Sequence, residues 1–193
     1  MKTQKILVTW LWKIGAVATV VLSVGCSKQG NDADNANNAA EHHRKAAAHA
    51  SALVGFMLDE KPAGAISVIQ ARKVAQPGEP IVVTGQIGAA ADPFNSSFAS
   101  LIIGDEALQY CNEIPDDHCP EPWDACCEDP EKVKASRASV QILSDSGPVQ
   151  DTLKGVGGLK ELDKIIVVGT VNPASTPDNL IIDATGIFRD EQD

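Results

Sequence analysis

Ile165-Ile-Val-Val-Gly-Thr-Val171, then a turn holding Pro173, Ser175 and Pro177, then Asn179-Leu-Ile-Ile-Asp-Ala-Thr-Gly-Ile-Phe188: these two runs decide the fold. β-Branched side chains dominate both and suit a pleated, half-buried surface, so strands are expected over 164–171 and 179–188. Upstream, Ser139-Val-Gln-Ile-Leu143 alternates apolar and polar residues and stops at Ser144-Asp-Ser-Gly147, which reads as a third strand and its turn. Further strands are expected over 98–103, ending at Gly104-Asp105, and over 81–87. A β-branched run at 66–74 predicts one more, joined to 81–87 by Gln76-Pro-Gly-Glu-Pro80. The stretch 149–162 predicts a short helix weakened by Gly155, Gly157 and Gly158.

Counted from Ile81, the order is strand, strand, strand, helix, strand, strand. That order, with these strand lengths, resembles the OB-fold, a five-stranded Greek-key barrel. Gly85 within the first strand suits the sharp coil that barrel closure demands. The expected class is therefore mainly β, a small OB-like five-stranded barrel with one short helix over 65–193.

The N-terminus begins Met1-Lys-Thr-Gln-Lys5 and continues as an apolar run to Val24 broken by Lys13. A basic start, a short apolar core and small residues at its end predict a signal peptide over 1–25. The uninterrupted apolar stretch after Lys13 is shorter than the roughly twenty residues of a bilayer-spanning helix. An uncleaved N-terminal anchor is the alternative. Leu22-Ser-Val-Gly-Cys26 resembles the lipobox of bacterial lipoproteins, although Ser23 departs from the aliphatic residue usual there. That resemblance implies cleavage before Cys26, a lipid on its thiol, and a place on the periplasmic side of the bacterial cell envelope. Ordinary cleavage would leave Cys26 free. Lipidation leaves an even set of cysteines to pair, and acyl chains supply about 0.8 kcal/mol per buried methylene.

Cys26 opens a polar, Asn- and Asp-rich tract over 26–40 that reads as a flexible tether. Alanine-dense sequence then predicts a helical lead-in over 41–64. His42 and His49 lie two helical turns apart, too far to share an ion, and read with His43 as solvated side chains. Removing 1–25 would leave 13 Lys+Arg against 26 Asp+Glu. So anionic a surface excludes nucleic acid as a partner. The scarcity of aromatics argues against a base-stacking platform.

Chemistry concentrates in an insert over 109–130, Cys111-Asn-Glu-Ile-Pro-Asp-Asp-His-Cys119-Pro-Glu-Pro-Trp-Asp-Ala-Cys-Cys127, expected between the second and third barrel strands. With Pro122, Trp123 and Asp124 before Cys126 and Cys127, it resembles the insert of uncharacterised bacterial exported OB-fold-like lipoproteins, which ends in Pro-Trp-Asp-x-Cys-Cys. The resemblance implies architecture and no mechanism. Three readings stand. Two disulfides among Cys111, Cys119, Cys126 and Cys127 would staple the loop, each adding about 2–4 kcal/mol, in any connectivity that avoids the strained vicinal pair. Alternatively the same thiolates, with His118 as a further candidate, would hold zinc or copper, though the spacing is not that of a zinc ribbon. Third, a redox role needs a low-pKa thiol, which the surrounding acids oppose.

The chain lacks G-x-S-x-G, H-E-x-x-H and a phosphate-binding glycine loop. Asp105 and Glu106 read as solvated acids, and Trp123 as a ligand-stacking residue or an apolar plug under the loop. The functional expectation is a non-catalytic, lipid-anchored envelope module without cofactor. It would bind an envelope protein or small ligand through the loops 89–97 and 172–178 and the insert. Metal handling or thiol redox chemistry is the alternative.

Overall fold

The computed structural model describes residues 52–190. The expected signal, tether, Cys26, His42, His43, His49 and the first part of the lead-in lie outside the described residues. Strands β1 (Ile66–Ser67), β2 (Pro80–Ile87), β3 (Ser100–Gly104), β4 (Arg137–Gln141), β7 (Lys164–Val171) and β8 (Leu180–Asp190) form one sheet; β5 (Leu143–Ser144) and β6 (Gly147–Pro148) form a separate small hairpin. Helix α1 spans Val68–Val74 and helix α2 spans Pro130–Ala135.

Strand β2 pairs with β3, β3 with β4, β4 in parallel with β8, β8 with β7, and β7 back with β2. The ring is closed. Five strands in this order, with the third and fifth parallel, have the OB-like connectivity that the sequence predicts. Along β2 the inward residues Ile81, Val83 and Ile87 alternate with Val82, Thr84 and Gln86, and Val83 and Ile87 are fully buried. Leu101, Ile103, Val140, Ile165, Val167, Ile182 and Ile187 complete the same core. Each such side chain stabilises by about 1.5–3 kcal/mol. Gly85 lets β3 approach β2 closely: a Cβ there would stand 2.8 Å from the Gly104 carbonyl oxygen. In β8 the buried positions run Leu180, Ile182, Ala184 and then Gly186 and Ile187, because the β7–β8 register shifts by one between Val168 and Gly169, leaving Thr185 as the extra residue.

Three expectations need correction. Residues 66–74 are not a strand beyond Ser67. Ser67 Oγ caps α1 by accepting from Gln70 N at 3.3 Å, and Val68 and Ala71 bury one face at helical spacing. A cap and a three-residue apolar period outweigh β-branched composition here. The segment 149–162, predicted as a short helix, is instead an irregular stretch that follows the β5–β6 hairpin and holds a single 3₁₀ turn, Val156–Gly158. Gly155 and Gly157 there have φ of 84° and 56°, which a continuous helix does not tolerate. Leu153, Val156 and Leu159 still reach the core from this irregular segment. Finally, the lead-in is helical only as far as Val54 within the described residues. Beyond Gly55 it runs along β8, with Leu58 N donating to Ile187 O and Ile187 N to Phe56 O, both at 2.8 Å. Among the described residues no helix is long and apolar enough to cross a membrane.

Candidate functional site in the cysteine insert

The insert leaves the barrel after Gly104 at the end of β3 and returns at Arg137 at the start of β4, the position predicted for it. Its own small core of Leu108, Tyr110 and Ala125 packs on Ala89, with Val133 of α2 alongside. Two glycines let it sit this close. A Cβ on Gly104 would meet the Tyr110 hydroxyl at 2.4 Å, and one on Gly88 would meet the Trp123 carbonyl oxygen at 2.3 Å. Ala89 N donates to that same carbonyl at 3.0 Å, and Trp123 Nε1 donates to Ala91 O at 2.9 Å. Trp123 is therefore a dock between insert and barrel, with its indole N–H satisfied by the β2–β3 loop.

Asp105, expected in solvent, is 4 % exposed. Its Oδ2 accepts from Ile69 N at 2.8 Å and its Oδ1 from Ala107 N at 3.0 Å. The carboxylate thus ties the first turn of α1 to the root of the insert. At the far end Asp129 caps α2, accepting from Glu131 N and Lys132 N, with Pro130 at the first helical position. Lys134 of α2 then reaches Asp178 at 2.9 Å. One end of the insert contacts the β2–β3 loop and the other the β7–β8 loop. The three segments expected to bind are thereby joined.

Within the insert, Cys111 N donates to Asp124 O at 2.8 Å and Asn112 N to Pro122 O at 2.9 Å. This pairing folds the proline-stiffened loop back on itself and sets Cys111 opposite Cys126. Cys111 Sγ lies 3.5 Å from Cys126 Sγ, and Cys119 Sγ lies 3.9 Å from Cys126 Sγ. All four cysteines are free thiols, so the predicted disulfides are not present; a bond would need about 2.05 Å between sulfurs. The sulfurs touch without linking.

Two donor groups share Cys111. Cys111, Cys119 and Cys126 form one, and Cys111, Asp117 and Cys127 the other, with all ligand atoms in each within 4.8 Å of one another. Asp117 Oδ1 accepts from Cys119 N at 3.1 Å, while its Oδ2 is buried with no hydrogen-bond partner. His118 is exposed and belongs to neither group, which corrects its place among the candidate ligands. Asp117 is the donor that the sequence reading missed, because beside Asp116 it looks like one more solvated acid.

Burial is the main cause pushing the Cys111 thiol up to about 12, with hydrogen bonds to Cys126 and Cys119 adding to it. The Cys126 thiol is also raised: its hydrogen bond with Cys111 pulls downward, but those with Cys119 and Cys127, together with desolvation, prevail. Burial likewise raises the Tyr110 hydroxyl well above its ordinary value. A protonated, buried Cys111 is a poor nucleophile, which weighs against thiol redox chemistry.

Two open grooves flank the site. One of about 750 Å³ is lined by Gln86, Asn112, Glu113, Lys160, Arg189 and Asp190 and so borders the insert. Another of about 520 Å³ lies over Phe94, Asn95, Ser100, Ile102 and Ser139, beside the β2–β3 loop. Comparisons with protein families, with characterised proteins and with solved structures give no match to this chain.

Proposed function

We propose that this chain is a non-catalytic binding module of the bacterial cell envelope, held at the membrane by a lipid on Cys26. One observation carries the binding half of this reading: the insert touches two barrel loops, through Trp123 at Ala91 and Lys134 at Asp178. In barrels of this class, such loops and the adjoining strands are where ligands sit.

Affinity capture from envelope extract tests the surface. Trp123→Ala removes the bond to Ala91 and loosens the insert, so partners retained by the wild type should be depleted. Identical partner sets would refute an insert-centred surface. Intact-mass analysis of the membrane-extracted protein tests the anchor, which requires an acylated Cys26 as the new N-terminus.

A further inference from the structure

We propose that the insert is a zinc site, in which the thiolates of Cys111, Cys119 and Cys126 hold the ion and Asp117, grouped with the shared Cys111 and with Cys127, is a supporting carboxylate at its edge. The proposal deepens the binding-module reading and rests on its view of the insert as the binding element. Its test reads the ion rather than a partner, so the two can fail separately.

Zinc–sulfur bonds of about 2.3 Å in a tetrahedron place neighbouring sulfurs roughly 3.8 Å apart. The two separations, 3.5 Å for Cys111–Cys126 and 3.9 Å for Cys119–Cys126, fall on either side of that value. Neither fits a disulfide, whose sulfurs are about 2.05 Å apart.

A second, independent observation is Asp117 Oδ2, a buried carboxylate oxygen that no protein group satisfies. Buried acceptors without partners are costly and call for an explanation. A cation among these sulfurs supplies one. Asp117 shares its donor group with Cys111 and Cys127, so it stands against the sulfur common to both groups. The local field agrees. No lysine or arginine occurs between Asp105 and Glu131, while Glu113, Asp116, Glu121 and Asp124 accompany the cysteines.

The donor set also selects among soft cations. Copper(I) prefers sulfur and gains little from a carboxylate, whereas zinc accepts thiolate and carboxylate together. On loading, each thiol gives its proton to solvent and its sulfur lone pair to the ion, with no change of oxidation state. Cys126 and Cys127 are exposed, so the ion has a route in from solvent.

The test uses the full chain, reduced and metal-free, titrated with zinc against a chromophoric chelator, and in parallel with copper(I). One zinc per chain is expected. Cys126→Ser, at an exposed position that leaves the barrel core untouched, should weaken zinc by at least about 100-fold, and Asp117→Asn by about 10-fold or more, in the range seen when groups supporting a metal are lost. Copper(I) affinity should respond to Cys126→Ser but hardly to Asp117→Asn. Circular dichroism of each variant confirms that the barrel is intact, and Cys119→Ser repeats the sulfur test at a partly buried position. Absence of stoichiometric zinc, or zinc held equally well by the variants, overturns the site. Stoichiometric binding of copper(I) alone overturns the assignment of zinc.

Discussion

Gly88→Ala should undock the insert while leaving the barrel folded. The added Cβ would stand 2.3 Å from the Trp123 carbonyl oxygen and 3.2 Å from Tyr110 Cε1, so the Trp123 segment of the insert must retreat by roughly 1 Å to restore ordinary contact. That retreat breaks Ala89 N to Trp123 O and strains Trp123 Nε1 to Ala91 O, now 3.0 and 2.9 Å. Two neutral hydrogen bonds contribute about 1–3 kcal/mol together, and overpacking adds a comparable amount. Stiffening of the unfolded chain returns less than about 1 kcal/mol. A net loss of about 2 kcal/mol corresponds to roughly a 30-fold larger open population. Cys111 is 3 % exposed and reports that population directly. In metal-free, reduced protein under weakly labelling conditions, its alkylation rate tracks the opening equilibrium. Exposed Cys126 should label at nearly the same rate in both proteins. Wild-type labelling of Cys111 in Gly88→Ala, with an unchanged circular dichroism spectrum, would refute the docking argument.

Other outcomes follow from the same geometry. Asp105→Ala strips a buried carboxylate from two N–H donors and should cost about 3–5 kcal/mol, read as a lower urea midpoint; a change under about 0.5 kcal/mol would contradict its role. Ser67→Ala removes the cap of α1 and should cost about 1 kcal/mol by the same assay. The Cys111 thiol is raised from 9.0 to about 12, so its folded form keeps the proton that the unfolded form gives up. The stability it contributes is complete below about pH 9 and is lost as pH rises toward 12, so metal-free protein should weaken over that window, and Cys111→Ser should flatten the decline.

The barrel was legible because its signals are local and repeated. The runs at 81–87 and 164–171 carry their own alternation or β-branched content, and their order alone selects the closed topology. Helix α1 was not legible as a helix: Val68, Ile69 and Val74 look like strand residues, and the groups that outweigh them are a cap at Ser67 and a carboxylate thirty-six residues away at Asp105. Such a long-range bond leaves no periodic trace. The segment over 149–162 misled for the opposite reason, since its leucines and valines do reach the core, but from turns that Gly155 and Gly157 permit. In the insert, composition pointed to the four cysteines at once. Which sulfurs meet depends on the backbone bonds from Cys111 to Asp124 and from Asn112 to Pro122, and those are set by docking on Gly88 and Gly104. Spacing along the chain could not distinguish Asp117 from its acidic neighbours, nor remove His118.

The most direct test is to trap thiols in the protein isolated from its own envelope: alkylation without reductant, before and after a chelator, followed by peptide mass mapping. The expectation is that Cys111, Cys119, Cys126 and Cys127 are recovered as unlinked residues, with Cys119 and Cys126 labelled readily only once the chelator is present and buried Cys111 labelled slowly throughout. Recovery of a peptide cross-linked through Cys111 and Cys126 would contradict it.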